Sequence, residues 1–346
     1  MKKVKRWVKV VISVALALVL LLSSGVVFYL SKLNLLQFSD GKIIWNGSID
    51  ETDSETLDEA SRMDEAIADL EEKNSVDATG EIYKDSNYFN ILLIGTDENT
   101  KKFSDNARGD SCMILTIGKK DGSMKLASLE RGMGVPILDG KYKGKYDWLT
   151  HTFRYGGADL MMREVRECFK VDVNRYIRVN FATFIQGIES VGGIDMNLTE
   201  AEANYINLYI EKKKYSAGFN HLDGQGALGY ARCRKVDSDW HRIERQRAVI
   251  QAAVSKTKDL SITELNELLN NVLPLVQTNL TKLEITELLL LAPKYRGVTI
   301  DQMTIPIKGS YGGMKGMGGR SLFSVDFDTN AKALREFIYG VTDSNN

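Results

Sequence analysis

Short apolar runs alternate with stretches of helically spaced apolar residues along most of the chain. The runs at 89–95, 112–117 and 124–129 are bounded by glycine or polar turn residues, which is typical of buried strands. The stretch at 119–122 ends in Asp-Gly and predicts a hairpin between the last two of these strands. Similar runs predict further strands at 176–179, 194–198, 302–306 and 322–325.

Apolar residues recur at helical spacing between these strands. Thr199 is a suitable cap for one helix, because Glu202 follows it at the spacing of a capping box. The alternation of strands and helices predicts an α/β fold with a mixed sheet. The glycine-rich stretch at 312–319 predicts a flexible loop. It is not a phosphate-binding loop, because no helix that begins with GK[ST] follows it. Other helices are predicted at 159–169, 181–191, 225–231, 243–254 and 329–339, with two more within 261–295.

The N-terminal region has the pattern of a membrane anchor. Residues 1–9 contain five Lys or Arg side chains, and residues 10–30 contain no charged side chain. A helix of this length is sufficient to cross a hydrocarbon core of about 30 Å. The positive-inside rule then predicts a single-pass protein of the cell membrane, with its N-terminus in the cytoplasm and its domain outside. A cleaved signal peptide is the alternative, although the apolar run is long for one and no AxA sequence follows it.

Residues 31–86 are predicted to form an acidic extracytoplasmic linker or stalk. Residues 50–72 contain eleven acidic side chains and one arginine. Their apolar residues recur at helical spacing, so an amphipathic stalk helix and a solvated acidic spacer both fit the sequence. The regular pattern of strands and helices begins after this segment.

Composition narrows the class of function. The 346 residues include 45 Lys or Arg and 46 Asp or Glu, so the formal net charge is −1. This balance argues against a general nucleic-acid-binding protein. The three cysteines and three histidines are scattered, without CxxC or HExxH spacing, which argues against a disulfide framework and a zinc site.

Charged residues stand at the ends of three predicted strands. Asp97 follows the first, Arg108 and Asp110 precede the second, and Arg131 follows the third. Strand ends in α/β sheets commonly bind ligands, and guanidinium groups offer forked donors to phosphate oxygens. Two aspartates beside a phosphate need a hard cation such as Mg²⁺ to offset their repulsion. The pattern therefore predicts a pyrophosphate or polyphosphate site with Mg²⁺.

A second group of polar residues lies further along the chain. Arg232 and Arg234 face the same way if their segment is extended, and Arg242 and Gln246 share one face of a helix. Each residue taken alone has an ordinary interpretation as a turn former or a surface ion pair. Only their joint spacing indicates a shared anionic ligand.

Seven short blocks, in this order along the chain, resemble the LytR-CpsA-Psr family. The resemblance covers about residues 88–255, and the basic tail, apolar segment and outer domain also match the architecture of that family. It implies a catalytic core at 87–260, with residues 261–346 completing the same domain. The blocks are NILLIGTD at 90–97, RGD at 108–110, LASLER at 126–131, FRYGG at 153–157, LDGQGAL at 222–228, YARCR at 230–234 and RIERQ at 242–246.

The resemblance implies a Mg²⁺-dependent phosphotransferase. Such an enzyme moves a glycopolymer from a polyprenyl-pyrophosphate carrier to peptidoglycan and forms a phosphodiester bond. The polymer is expected to be wall teichoic acid, capsular polysaccharide or a related polymer of the cell wall. The implied fold is a three-layer-like α/β sandwich around a mixed sheet, with an apolar tunnel for the lipid.

The resemblance also implies roles for individual residues. Asp97, Asp110 and Arg131 are the expected catalytic residues, and the two aspartates are expected to bind Mg²⁺, or Mn²⁺ in its place. Asp97, Asp110 and water are the candidate acceptors for the proton of the attacking hydroxyl. The expected pyrophosphate-binding residues are Arg108, Arg131, Arg232, Arg234, Arg242 and Gln246.

Two positions depart from the family pattern. Gly132 follows Arg131 where the family often has Asp, and Trp148 stands where the family often has Lys. Lys145 is the nearest candidate to replace that lysine. Two alternative functions therefore stay open, namely a hydrolase of the same lipid carrier and a non-catalytic protein that binds polyprenyl phosphates.

Overall fold

The structure is a computed structural model that describes residues 31–45, 80–98, 100, 102–105, 107–234 and 236–341. The basic tail, the predicted membrane span at 10–30 and the acidic stretch at 50–72 lie outside these residues. Within the described ranges, every helix is too short or too polar to cross a membrane.

The strands of the described part form one large sheet and three small ones. In chain order they are β1 (Gln37–Phe38), β2 (Tyr88–Gly95), β3 (Ser111–Gly118), β4 (Met124–Leu129), β5 (Gly134–Pro136), β6 (Tyr146–Trp148), β7 (Tyr176–Val179), β8 (Ile194–Leu198), β9 (Gly218–Leu222), β10 (Gln277–Thr278), β11 (Asp301–Ile305), β12 (Tyr311–Lys315) and β13 (Ser321–Val325). The large sheet has the strand order β1-β10-β7-β2-β3-β4-β11 and mixes parallel with antiparallel pairs. The small sheets pair β5 with β6, β8 with β9 and β12 with β13.

The pairing of the central strands brings several strand ends to one edge. Gly95 at the end of β2 lies opposite Ser111 at the start of β3, and β4 pairs antiparallel with β3. β7 runs parallel to β2 and pairs Val179 with Gly95. The residues that follow β2, β4 and β7 therefore meet the residues that precede β3 at the same edge of the sheet.

Helices cover both faces of the large sheet. In chain order, the helices of the described part are α1 (Leu149–Phe169), α2 (Phe181–Ser190), α3 (Glu200–Tyr209), α4 (Gly224–Ala231), α5 (Asp239–Lys256), α6 (Ile262–Val272), α7 (Lys282–Leu291) and α8 (Phe327–Tyr339). Leu92 and Ile114 are buried on one face against α1 and α8. On the other face, Met113 packs against α5 and Ile91 packs against α7. Burial of each such side chain contributes about 1.5–3 kcal/mol, so apolar contacts hold the helices on the sheet. The predicted α/β fold, with a central mixed sheet flanked by helices, is confirmed.

A second apolar core joins α2, α3, α4, α5 and the two-stranded β8–β9 sheet. Ile188, Ile206, Leu222, Ala227 and Val249 are all buried in it. The predicted cap at the start of α3 is confirmed, because Thr199 and Glu202 form a capping box. This core positions α4 and α5 beside the sheet edge at which β2 ends and β3 begins.

The prediction of a flexible loop at 312–319 is wrong. Gly313 pairs with Phe323 in the β12–β13 ladder, and Met317–Gly319 forms a short 3₁₀ turn before β13. A Cβ atom on Gly316 would clash with the Leu322 side chain, so the glycine permits a close approach of the two segments. The glycines here serve packing and turning.

The first helix begins ten residues before the predicted start at residue 159, since α1 starts at Leu149. Gly157 interrupts it with a φ of 72°, and the pattern analysis detected only the part beyond this break. A Cβ atom on Gly157 would clash with the carbonyl oxygen of Gly41, so the chain at 41–43 requires glycine there. Residues 31–45, which were assigned to the linker, contribute β1 to the sheet and bury Leu33.

Candidate functional site

The predicted carboxylates and Arg108 lie together at the edge of the sheet. Asp97 follows β2, and its Oδ1 atom accepts a hydrogen bond of 3.1 Å from the backbone N–H of Arg108. The Arg108 Nε atom donates to Asp97 Oδ2 at 3.2 Å. Asp110 lies two residues further along and directly before β3. The antiparallel register of β2 and β3 is therefore the reason that these three side chains are neighbours.

The segment between α4 and α5 brings further arginines to this edge. The helix predicted at 225–231 is confirmed, because α4 ends at Ala231. Arg232 is its helical C-terminal cap, so the condition under which Arg232 and Arg234 would face the same way, an extended segment, is not met at Arg232. Both arginines nevertheless line the same cavity. Arg242 and Gln246 lie one turn apart on α5, and both face that cavity as their spacing predicted.

Two contacts connect the sheet edge with these helices. Arg234 Nη2 lies 3.5 Å from Asp110 Oδ2, and the Ser111 hydroxyl donates to Gln246 Oε1 at 3.1 Å. Ser111 was not among the predicted site residues, since a serine at the start of a strand carries no distinctive signal. These contacts make the β3 side and the α4–α5 side a single polar surface.

A cavity of about 630 Å³ opens at this polar surface. Its apolar wall includes Leu93 and Met113 of the sheet, Phe181 and Phe184 of α2, and Ile250 of α5. Its polar lining includes seven of the predicted site residues, namely Asp97, Arg108, Asp110, Arg232, Arg234, Arg242 and Gln246. The cavity therefore has the shape and polarity for a ligand with an apolar tail and an anionic head.

Arg232 is held at the cavity by two aromatic rings. Its guanidinium carbon lies 4.4 Å from the ring centroid of Phe181 and 5.4 Å from that of Tyr209. Its Nη1 atom donates to the Tyr209 hydroxyl at 3.1 Å. Cation–π contacts of this kind orient the guanidinium without neutralising it, so its charge remains available to an anion.

Arg131 is placed differently from the other predicted arginines. It is buried and does not belong to the lining of the cavity. Its Nε atom lies 3.4 Å from Asp239 Oδ2, and Arg242 Nη2 donates to the same oxygen at 2.7 Å. Arg131 therefore lies behind Arg242, with the Asp239 carboxylate between them.

The charges of this buried group affect one another. The pKa of Arg242 is lowered to about 10, chiefly by burial and also by the neighbouring cations Arg234 and Arg131, although Asp239 acts to raise it. Burial favours the neutral form of Asp239, but Arg242 and Arg131 hold its pKa below the usual value. Glu130 has a pKa well above the usual value, because it is buried and faces the charge of Asp239. At neutral pH, Arg242 thus remains a cation paired with the Asp239 anion.

Arg245 holds the arginine-bearing segment in place. Its Nη2 atom donates to the carbonyl oxygen of Cys233 at 2.7 Å and to Asp237 Oδ1 at 2.6 Å. Its Nη1 atom donates to Glu202 of α3 at 3.2 Å. Arg245 therefore connects the chain on both sides of Arg234 to the second core.

Sequence reasoning missed Glu130, Asp239 and Arg245. Glu130 stands directly after a buried strand, and Asp239 precedes Arg242 by three residues on one helix face. The first is the kind of signal that singled out Arg131, and the second is a standard helical ion-pair spacing. Their mutual contact depends on the tertiary fold and has no signal in the sequence.

The two positions that depart from the family pattern are structural in this fold. Trp148 is buried, donates from Nε1 to the Ser321 carbonyl oxygen at 2.8 Å, and lies 5.8 Å from the Arg131 guanidinium. Lys145 is exposed and is not part of the cavity lining. Gly132 donates its backbone N–H to Glu130 Oε2.

Two histidines and one cysteine, His151, His241 and Cys233, lie outside the cavity lining. His151 is buried and its Nδ1 atom lies 3.1 Å from Asp147 Oδ2, which fits a structural role. His241 is more than half exposed and lies 3.8 Å from Asp237. Cys233 is buried in the interior between the two arginines Arg232 and Arg234 of the chain.

The donor atoms at the mouth suit a hard cation. The buried Asp110 Oδ1 atom has no hydrogen-bond partner among the described residues, although its other oxygen faces Arg234. Over the same residues, no cluster of three or more His, Cys, Asp or Glu side chains is arranged to hold a metal ion alone. Mg²⁺ commonly binds one or two carboxylates and completes its shell with water and substrate phosphates. Asp97 and Asp110 fit that requirement.

The fold and the site together define an α/β domain with a cavity at a sheet edge that suits an amphiphilic anion. The chain belongs to the LytR_cpsA_psr family, whose model matches residues 52–335. It is 34% identical over 232 residues to the polyisoprenyl-teichoic acid--peptidoglycan teichoic acid transferase TagU of Bacillus mycoides, a match that covers 66% of this chain and 71% of that protein. The TagU protein of Oceanobacillus iheyensis is also 34% identical, over 66% of this chain and 69% of its own length. The solved structure of TagT bound to LIIa-WTA matches 76% of this chain and 96% of its own, with a TM-score of 0.60 and 25% identity.

Proposed function

We propose that this protein transfers a glycopolymer from a polyprenyl-pyrophosphate carrier to peptidoglycan and forms a phosphodiester bond. One observation carries the proposal: a single cavity joins an apolar wall to a mouth with four arginines and two aspartates. The relatives named TagU are transferases of this kind by name, and TagT has been solved bound to LIIa-WTA. The polymer is wall teichoic acid, capsular polysaccharide or a related wall polymer.

The apolar wall accommodates the polyprenyl chain. Phe184, Leu93 and Ile250 line the part of the cavity between α2, the sheet and α5. Removal of each methylene group from water contributes about 0.8 kcal/mol. The lipid thus supplies binding energy, and the reacting phosphates are held at the mouth.

The arginines bind the pyrophosphate. Arg108, Arg232, Arg234 and Arg242 line the mouth, where their planar forks match phosphate oxygens. Three of them are engaged with carboxylates, since Arg108 contacts Asp97, Arg234 contacts Asp110 and Arg242 contacts Asp239. The pyrophosphate therefore competes with Asp97 for Arg108 and with Asp110 for Arg234.

Asp97 and Asp110 are the residues that would hold Mg²⁺. When bound, the ion supplies positive charge that neutralises phosphate oxygens. If Asp97 and Asp110 held the ion, Arg108 and Arg234 would be available to the phosphates. A bound Mg²⁺ would therefore explain why two aspartates lie at a site for an anion.

The reaction is a displacement at phosphorus. The acceptor hydroxyl oxygen forms a bond to the phosphorus that carries the glycan, and the bond from that phosphorus to the polyprenyl phosphate breaks. The polyprenyl phosphate leaves with negative charge, which Arg232, Arg234 and Arg242 stabilise. The hydroxyl proton passes to Asp97, Asp110 or water. The protein acts mainly by positioning and by charge stabilisation.

The proposed location follows from the N-terminal charge pattern. The basic residues 1–9 remain in the cytoplasm and residues 10–30 span the membrane, which places the domain outside. Carrier lipid and peptidoglycan both lie on that side. The N-terminal helix is therefore the proposed membrane contact of the protein.

The decisive experiment supplies the purified full-length protein with a synthetic polyprenyl-pyrophosphate glycopolymer and peptidoglycan. Transfer yields peptidoglycan-bound polymer and polyprenyl phosphate, hydrolysis yields free polymer phosphate, and a non-catalytic binder yields neither product. Chelation with EDTA should abolish transfer, and Mg²⁺ or Mn²⁺ should restore it. Free polymer phosphate as the sole product would establish the hydrolase in place of the transferase.

A further inference from the structure

A buried carboxyl pair lies directly behind the cavity. Glu130 is fully buried, and its Oε2 atom accepts the backbone N–H of Gly132. Its buried Oε1 atom accepts no hydrogen bond from the described residues. The side chains of Glu130 and Asp239 are hydrogen-bonded to each other. Ionised carboxylates only accept hydrogen bonds, so this contact requires a proton on one of the two groups.

The surroundings indicate which carboxyl holds the proton. Asp239 Oδ2 lies 2.7 Å from Arg242 Nη2 and 3.4 Å from Arg131 Nε, so its negative charge is paired twice. The charged groups that face the pair are Arg131 beyond β4, Arg242 on α5 and Arg234 between α4 and α5. Glu130 has only a backbone N–H as an identified donor. An ionised Glu130 would therefore be a poorly compensated buried charge next to Asp239, which is costly.

We propose that Glu130 is a positioning residue that, as a neutral acid, donates a hydrogen bond to Asp239 and holds that carboxylate against Arg131 and Arg242. This inference rests on the proposed function, because it assigns Arg242 to the pyrophosphate. With Glu130 neutral, two guanidiniums share one carboxylate, and positive charge remains for the ligand. With Glu130 ionised, two carboxylates cancel the two guanidiniums. The raised pKa of Glu130 agrees with the neutral form at neutral pH.

The consequence is a pH dependence of ligand binding that belongs to one residue. As the pH rises through the raised pKa of Glu130, the added negative charge weakens the hold of Arg242 on a phosphate. Asp239 also loses its donor and is repelled by Glu130. The Glu130→Gln variant keeps a donor toward Asp239 and an acceptor for the Gly132 N–H, but it does not titrate.

The test uses the full-length protein and a short-chain polyprenyl pyrophosphate, with affinity measured over a pH series that rises from neutral until Glu130 ionises. The affinity of the parent protein should fall about tenfold relative to that of Glu130→Gln across this range. Glu130→Ala should bind several-fold more weakly than Glu130→Gln at neutral pH. The matched control is Glu164→Gln, which changes another buried acid, on α1 and outside the cavity, and should retain the parent profile.

An infrared measurement tests the proton itself. The difference spectrum between the parent and Glu130→Gln at neutral pH should contain the C=O stretch of a protonated carboxylic acid, and that band should fade as the pH rises. Identical pH profiles for the parent and Glu130→Gln, or absence of the band, would overturn the inference. If the band is present and neither protein binds the lipid at any pH, the proposed function fails and the neutral Glu130 stands. Unfolding of Glu130→Ala leaves the comparison with Glu130→Gln intact.

Discussion

Arg234 Nη2 lies 3.5 Å from Asp110 Oδ2, which joins the α4–α5 segment to the start of β3 across the mouth of the cavity. The other carboxylate oxygen of Asp110 is buried and has no hydrogen-bond partner among the described residues. The Oδ2 atom of Asp110 therefore restrains Arg234, and its Oδ1 atom can bind a second cation. This arrangement couples the occupancy of a cation site to the availability of Arg234.

Asp110→Asn should separate catalysis from lipid binding. The change removes the negative charge but preserves size, so a metal ion loses a ligand and Arg234 is released to the pyrophosphate. Transfer should fall by about tenfold or more, whereas binding of a short-chain polyprenyl pyrophosphate in EDTA should be as tight as in the parent or tighter. Transfer is measured from peptidoglycan-bound polymer, and binding by calorimetry.

Asp301→Asn is the matched control, because Asp301 is exposed at the start of β11 and outside the cavity lining. It should have the transfer rate of the parent. Full activity of Asp110→Asn would exclude a required role of this carboxylate in metal binding or proton transfer.

Replacement of single arginines by lysine should weaken binding of the pyrophosphate. Lysine keeps the charge of Arg232, Arg234 or Arg242 but loses the planar fork, which should cost about 1–3 kcal/mol for a charge-assisted contact. Arg232→Lys also loses a guanidinium placed between the Phe181 and Tyr209 rings. The dissociation constant of each variant should rise at least several-fold in calorimetry.

Arg163→Lys is the control for this series. Arg163 likewise contacts carboxylates, at 3.1 Å from Asp139 and 3.2 Å from Asp159, but it lies outside this cavity. It should bind the ligand like the parent. Normal affinity in all three site variants would place the pyrophosphate elsewhere in the protein.

The sequence was sufficient for the central strands and for most of the candidate site. β2, β3 and β4 are short apolar runs with turn residues between them, so their type and the β3–β4 hairpin could be predicted. Asp97, Arg108 and Asp110 were predicted from their places at strand ends, and the antiparallel register of β2 and β3 is what brings them together. Arg242 and Gln246 followed from helical spacing alone.

The failures occurred where distant segments decide the local structure. Arg232 and Arg234 would face the same way in an extended segment, but Arg232 caps α4 in helical geometry, and the tertiary fold brings both arginines to one cavity. Gly313 looked flexible because its pairing partner, Phe323, lies beyond another glycine-rich turn. The contact between Glu130 and Asp239 joins β4 to α5, and only the folded chain brings these two carboxyls together.

Because of Glu164, the free energy of unfolding of the protein should decrease as the pH rises. It is fully buried on α1, its Oε1 atom accepts the Leu138 N–H at 3.1 Å, and burial raises its pKa well above the usual value. Between the unfolded pKa of about 4.3 and the raised folded pKa, the folded protein keeps a proton that the unfolded chain has lost. The free energy of unfolding therefore decreases by about 1.4 kcal/mol per pH unit in that window because of this group.

Glu164→Gln removes this dependence, so its stability relative to the parent should rise with pH from about 4.3 and level off above the folded pKa. Urea denaturation of the purified protein over a pH series measures the difference. Glu267→Gln, at an exposed position of α6, should follow the parent curve. A difference that stays flat or shrinks with increasing pH would contradict a neutral Glu164 in the folded protein.

A cysteine at position 86 should report the side of the membrane on which the domain lies. Ser86 is exposed just before β2, and the native residues Cys112, Cys168 and Cys233 are buried, so an added thiol is the main target of a thiol reagent in the folded domain. Ser86→Cys should react with a membrane-impermeant maleimide in intact cells stripped of wall, because five basic residues in the first nine hold the N-terminus in the cytoplasm. Lys3→Cys, within that basic tail, is the control and should react only after lysis. Reaction of Ser86→Cys only after lysis would place the domain in the cytoplasm, away from peptidoglycan, and would remove the proposed acceptor from its reach.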